Sequence, residues 1–387
     1  MKKKIVCMIA VLLSFSLSLA ACGDSSKKDN KPSNNVNAEK DALQSKLDML
    51  KPTAYSSITG LALEPGSYIS IIGRFTNDSY WKQVEEGAKK AVSDLNSTLG
   101  YKGDNKIKLT YSAPETKDDV NEQINILDEE LARYPVAIGI AAIDTTACTI
   151  QFDLASENGI PIITFDSGSD YQKVGSHIST DNLSAAKTAA TQLADALEEN
   201  GEVALFVQDS VSMTAKQRTQ GFLDTIASDF PNISVVTVYH LDDIKAMQQT
   251  IATEKNAILT PGEEPFVPES ISQEDVIAYI LEKNPNLKGI YTTNLDATQL
   301  VASVLKKLNK TDLKFVGFDG GKEQMNLLKD NTLDGLVIQN PYAMGYAAVV
   351  AAARVALGLG NESVVDSGYT WVTPENMDTK EIKKMLY

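Results

Sequence analysis

Eight side chains able to grip a polar molecule recur where apolar, strand-like runs end. Asp78, Tyr80 and Trp81 follow "YISIIGRF", and Asp166 closes "IPIITFD". Arg218 stands in "TAKQRTQGF", Asn294 follows "GIYTT", Asp319 follows "FVGF" and Gln339 follows "DGLVI". A hydroxyl donates once and accepts twice, so carboxylates, amides and a guanidinium satisfy it from both sides. Charge-assisted bonds from Asp and Arg are the stronger ones, and flat aromatic rings cover the apolar C–H faces of a sugar ring. The set therefore suits a neutral polyhydroxylated molecule. A phosphate would call for several cations or a glycine-rich cradle, and Lys216 and Arg218 are the obvious cations here. Other roles compete. Asp166 and Asp319 are also good helix caps, and Tyr80 and Trp81 are also good core residues whose adjacency keeps them from facing the same way. His177 reads as a hydrogen-bonded structural residue mid-strand, and His240 as a further candidate contact.

These residues need elements to position them. From Tyr68 the chain alternates short apolar runs with amphipathic stretches. "YISIIGRF", "KIKLTYSA", "VAIGIAA" and "IPIITFDS" form a first series of strands. "EVALFVQ", "ISVVTVYH", "LKGIYTTN" and "LKFVGFDG" form a second, each followed by a helical segment. Near-continuous apolar strands between amphipathic helices predict parallel sheets covered on both faces, in two similar α/β lobes. Residues 254–273, proline-rich and without periodicity, read as a surface insertion. In open parallel sheets ligands bind beyond the carboxyl ends of the strands, where the eight residues fall.

Composition narrows the function classes. A formal charge of −15 argues against a nucleic-acid partner. There is no G-x-S-x-G, H-E-x-x-H or phosphate-loop motif, and the two histidines have no cysteine at metal-ligand spacing. Neither an enzyme, a cofactor nor a metal site is expected. Of the three cysteines, Cys148 reads as a buried thiol on a helix, which leaves no disulfide inside the body.

The start of the chain points to export. Lys2, Lys3 and Lys4 precede an apolar run that is short for a membrane span and ends in small residues at "LAAC". The polar stretch after Cys22 reads as a solvated tether, with the folded body beginning near Ser67.

"LAAC" resembles the bacterial lipoprotein signal, which implies a signal peptide over 1–21, lipidation of Cys22 and a disordered tether over 22–66. Five segments in order, "GRFTNDSYWKQVEEGAKKA", "NGIPIITFDSG", "SHISTDN", "TAKQRTQGF" and "FVGFDGG", resemble the ribose- and galactose-type periplasmic sugar-binding proteins of ABC transporters. The resemblance covers roughly residues 67–377 and implies a type I periplasmic binding protein fold, two three-layer lobes joined by a hinge. It divides the body into 67–179 plus 339–367, and 180–338 plus 368–387. It puts Asp78, Tyr80, Trp81 and Asp166 on the first lobe's side of a cleft, Arg218, Asn294 and Asp319 on the second, and Gln339 near a later crossover. Asp181 and Asn182 would cap a helix beside the hinge. Ser167 stands where several such proteins have arginine, and Leu241 where an aromatic often covers the sugar, so the particular sugar stays open. The implied protein is a lipid-anchored, extracytoplasmic receptor with a monomeric body that delivers a monosaccharide to permease subunits. A sensory receptor coupled to a membrane histidine kinase or chemoreceptor is the alternative.

Overall fold

The computed structural model describes residues 33–387; the proposed signal segment and Cys22 lie outside them. Among the described residues, twelve strands form two six-stranded sheets. The first holds β1 (Tyr68–Ile72), β2 (Lys108–Ser112), β3 (Ala137–Ile140), β4 (Ile162–Phe165), β5 (His177–Ser179) and β11 (Val364–Asp366). The second holds β6 (Gly201–Val207), β7 (Ile233–His240), β8 (Leu287–Thr292), β9 (Lys314–Phe318), β10 (Gly335–Gln339) and β12 (Tyr369–Val372). Their orders, β2-β1-β3-β4-β5-β11 and β7-β6-β8-β9-β10-β12, are the same pattern twice. The central strands are buried along nearly their whole length, as the unbroken apolar runs require. The two-lobed α/β architecture is therefore as expected.

The chain passes between sheets after β5, after β10 and between β11 and β12. β5, β10 and β11 all run toward these crossings. β12 starts at one and runs away, so it pairs antiparallel with β10 while the other pairs are parallel. Gly368, at φ 79°, makes the reversal.

Helix Ser79–Leu99 follows β1. Asp78 caps its start by accepting from the Trp81 N–H at 2.8 Å, and left-handed Gly100 ends it. Its partner is helix Pro341–Ala356, buried from Pro341 to Ala353. The two backbones nearly touch. A Cβ on Gly87 would lie 2.0 Å from Tyr342 O, and one on Gly345 would lie 1.9 Å from Val84 O. Reciprocal glycines thus fix the helix whose first turn carries Tyr80 and Trp81.

The expectation of a solvated tether through residue 66 needs correcting. Leu47, Leu50, Tyr55, Leu61 and Leu63 are all buried in the first lobe's core. Lys51 exchanges two backbone hydrogen bonds of 2.9 Å with Asp366, capping the edge of β11. The Tyr55 hydroxyl donates to Asn361 Oδ1 at 3.0 Å and accepts from the Glu362 N–H at 2.8 Å. A few well-spaced apolar side chains order this segment despite its polar composition. Cys148 is buried, as read, but precedes helix Thr149–Glu157, and burial pushes its thiol up to about 11.

Between helix Ile244–Ala257 and helix Gln273–Lys283, Asn256 pins the Phe266 backbone through bonds of 3.0 and 2.7 Å. Ile258 and Val267 stay exposed in this loop, which occupies much of the expected insertion.

Candidate functional site

All eight residues singled out in the sequence line one cleft between the carboxyl ends of the two sheets, enclosing about 600 Å³ of space partly open to solvent. Asp166 and Asp319 occupy equivalent places in it. Each directly follows a central strand, β4 or β9, and each donates one last backbone bond to the neighbouring strand, at 2.8 and 2.7 Å. The backbone then turns into the left-handed region, with φ 55° and 74°. That conformation strains a residue with a Cβ. In both lobes it swings a carboxylate off the strand end into the cleft.

Neither aspartate caps the helix that follows it. Asp166 Oδ1 accepts from the Tyr80 hydroxyl at 2.5 Å. Asp319 Oδ2 accepts from the Leu295 N–H at 2.9 Å, and its Oδ1 accepts from Gln339 Nε2 at 2.7 Å. Burial is the main cause holding both carboxyls above the usual carboxylate range, and it raises Asp78 as well. A desolvated carboxylate is a demanding acceptor, which is useful toward a ligand's hydroxyl.

Tyr80 and Trp81 both line the cleft despite being adjacent. They belong to the first turn of their helix, which opens on the cleft, and their rings meet edge to face at 5.2 Å. Arg218 is almost fully buried. Its Nε donates to Asn182 Oδ1 at 2.8 Å, its Nη1 donates to Thr293 O at 2.7 Å, and the guanidinium lies 3.8 Å over the Phe318 ring. Asn182 therefore does not cap its helix, as expected from sequence, but aims Arg218. Asp181 does cap, accepting from the Ser184 N–H at 3.0 Å.

Asn294 commits its amide oxygen to the Ala297 N–H at 2.9 Å, capping helix Leu295–Lys307, while its Nδ2 makes one long contact, at 3.4 Å, to Asp296 Oδ2. Gln339 accepts from the Thr180 hydroxyl at 2.9 Å while donating to Asp319. It thus ties two crossings to the carboxylate.

Several lining residues escaped the sequence reading. Arg74 and Phe75 come from just beyond β1, Lys117 and Asp118 from the loop after β2, and Gln208 from just beyond β6. The same rule, residues beyond strand ends, marks them all. Arg74 supplies a guanidinium to the first lobe although Ser167 is no arginine. Arg74 Nη2 bonds Asp118 Oδ1 at 2.5 Å and reaches Asp209 of the second lobe at 3.5 Å. Lys117 pairs with Asp296 across the cleft mouth. Lys216 donates to Thr145 Oγ1 at 3.2 Å, again joining the lobes, and is not among the lining residues. His240 and Leu241 also lie outside the lining; Leu241 packs on the second lobe's core. His177 Nδ1 pairs with the Thr164 hydroxyl at 2.9 Å, away from the cleft.

Among the described residues no group of His, Cys, Asp and Glu is arranged to hold a metal ion, and no helix is long and apolar enough to cross a membrane.

Comparison with known proteins bears on the family and the fold. Residues 69–267 and 269–360 match the periplasmic binding protein domain. The ribose import binding protein of Bacillus subtilis (strain 168) is 22% identical over 246 residues, 63% of this chain and 70% of that protein. A carbohydrate transporter solute-binding protein from Agrobacterium radiobacter, solved with D-arabinose, is 28% identical with a TM-score of 0.68, covering 83% of this chain and 99% of that one. An arabinose-binding protein from Geobacillus stearothermophilus is 27% identical with a TM-score of 0.62, covering 81% and 99%.

Proposed function

The chain belongs to the periplasmic binding protein family, and from that premise we propose that it captures a neutral monosaccharide between its lobes and delivers it to an ABC permease. The observation that carries the sugar reading is the pair of buried carboxylates, Asp166 and Asp319, presented from opposite lobes with Arg218 beside them. The cleft lining holds three cations, Arg74, Lys117 and Arg218, against four carboxylates, Asp78, Asp118, Asp166 and Asp319. That near balance favours a neutral ligand rich in hydroxyls over an anion. Tyr80, Trp81 and Phe75 offer rings for its C–H faces.

A ligand held by both lobes favours the closed arrangement through contacts that an open one lacks. The cross-lobe contacts of Arg74, Lys117 and Lys216 support such a clamp. Binding and release, with no chemical turnover, is the activity assigned. The body acts as a monomer on the outer face of the membrane, held by lipid on Cys22. Stable anchoring takes more than one acyl chain on that cysteine. Replacing Cys22 with Ser should release the protein from the membrane fraction; a variant as firmly bound as the parent contradicts the anchor.

Thermal shift against a panel tests the ligand class, because a compound that binds only the folded state raises the melting temperature. D-Ribose, D-arabinose and hexoses are set beside polyols, amino acids and nucleosides. Stabilisation by a monosaccharide is expected. Stabilisation by an amino acid alone contradicts the reading.

A further inference from the structure

One aromatic residue joins the two walls of the cleft from behind, and no motif draws attention to it. Tyr387 follows helix Lys380–Met385, whose Ile382 and Met385 are buried. Its ring packs against the hydrophobic cores of both lobes. On the first lobe it meets Tyr80 edge to face, with centroids 5.6 Å apart and planes at 77°. On the second lobe its hydroxyl accepts from the Gly320 N–H at 3.0 Å and reaches Asp319 Oδ1 at 3.4 Å.

Both hydroxyl contacts fall on the strained turn at Asp319–Gly320, where Asp319 has φ 74°. Asp319 is held on its own N–H side by Val337 O and through its carboxylate by Leu295 and Gln339, but the Gly320 N–H on the far side of the strained turn has the Tyr387 oxygen as its partner. The Tyr387 oxygen holds that peptide and steadies the carboxylate it carries. Its ring meanwhile abuts Tyr80, the residue that donates to Asp166. The two ligand-facing carboxylates, one per lobe, are thus backed by a single pair of touching tyrosines. Burial and the Asp319 carboxylate both keep the Tyr387 hydroxyl protonated, hence able to donate.

We propose that Tyr387 is a positioning residue of the sugar site, fixing Asp319 through its hydroxyl and setting the Tyr80 side of the cleft through its ring when the lobes are together. This role rests on the sugar reading above. It requires hydroxyl and ring to act separately, with the hydroxyl's share passing through Asp319.

Calorimetric titration with D-ribose and D-arabinose of the parent, Tyr387→Phe, Tyr387→Ala, Asp319→Asn and the Tyr387→Phe/Asp319→Asn double variant tests it, with melting temperatures in parallel. Tyr387→Phe keeps the ring and should weaken the better-binding sugar by roughly three- to ten-fold, with only a small fall in melting temperature from the unpartnered Gly320 N–H. Tyr387→Ala should weaken it further, by about ten- to a hundred-fold. In the Asp319→Asn background the Phe substitution should cost clearly less, since the charge through which the hydroxyl acts on the ligand is gone. Parent-like affinity in both Tyr387 variants overturns the role, as does a Phe effect that persists in full without the Asp319 carboxylate. A parent that binds neither sugar, nor any other monosaccharide, overturns the sugar reading itself and this role with it.

Discussion

The Tyr80 hydroxyl donates to Asp166 Oδ1 at 2.5 Å, joining the first turn of a helix to the strained end of β4. Both residues line the cleft, and the bond orients a buried carboxylate toward it. We predict that Tyr80→Phe costs about 1–3 kcal/mol of stability, because the carboxylate loses a donor without gaining water. Thermal unfolding of the two proteins at neutral pH measures this; equal melting temperatures contradict it.

Asp166→Asn should behave differently. Burial raises the Asp166 carboxyl in the folded state, so the folded chain holds that proton more tightly than the unfolded one. Stability linked to this group is therefore lost as pH rises from the ordinary carboxylate range through the raised value, and is regained as pH falls. The asparagine variant carries no such cost. It should match or exceed the parent's melting temperature at neutral pH while binding sugar more weakly. A large loss of stability at neutral pH would contradict this ordering.

His177 runs the opposite way. Burial lowers it from 6.5 to about 4, with only the Thr164 hydroxyl as partner. Below pH 6.5 the unfolded chain takes up a proton that the folded chain refuses until about pH 4, so stability falls across that window as the solution is acidified. The full contribution is about 3 kcal/mol. His177→Asn should show a shallower loss of stability over this range. A parallel pair of pH profiles would count against a neutral, half-buried imidazole.

Arg218 tests positioning on the second lobe. Its two fixed bonds, to Asn182 and to Thr293 O, and its stacking on Phe318 need a planar guanidinium. Arg218→Lys keeps the charge but should lose about ten- to a hundred-fold in affinity. Asn182→Ala, at a residue that is not itself part of the lining, should lose about ten-fold by loosening Arg218. Titration of both variants checks the order; unaffected binding in Asn182→Ala contradicts the positioning role.

The glycine contact between the two packed helices makes a prediction about folding alone. A Cβ at Gly345 meets Val84 backbone at 1.9 Å, where no side chain can yield, so Gly345→Ala should cost about 3 kcal/mol. That corresponds to a fall of roughly 5–10 °C in melting temperature. An unchanged melting temperature would mean that the helices separate freely.

Much of this was legible because parallel sheets put ligand contacts at strand ends, and long apolar runs mark those ends. Asp166 and Asp319 were visible for that reason. Arg74 obeyed the same rule but stood closer to the strand than the aromatic cluster that drew notice. Asn182 looked like a cap because its partner, Arg218, is 36 residues away and meets it only in the folded chain. The ordering of Leu47 to Leu63 was hidden by averaging: composition over that stretch is polar, yet a few spaced apolar side chains find the first lobe's core. Tyr387 had no local signal, since its contacts with Tyr80, Asp319 and Gly320 are all tertiary. β11 and β12, three and four residues long, are too short to stand out as apolar runs.

The central claim is that one monosaccharide is gripped at once by a carboxylate from each lobe. Calorimetric titration of the parent, Asp166→Ala and Asp319→Ala with the best-binding monosaccharide tests it most directly. The account predicts one sugar per chain for the parent and a loss of about 1.5–3 kcal/mol, roughly ten- to a hundred-fold in affinity, in each variant. Parent-like affinity in both variants, with their melting temperatures retained, would contradict it.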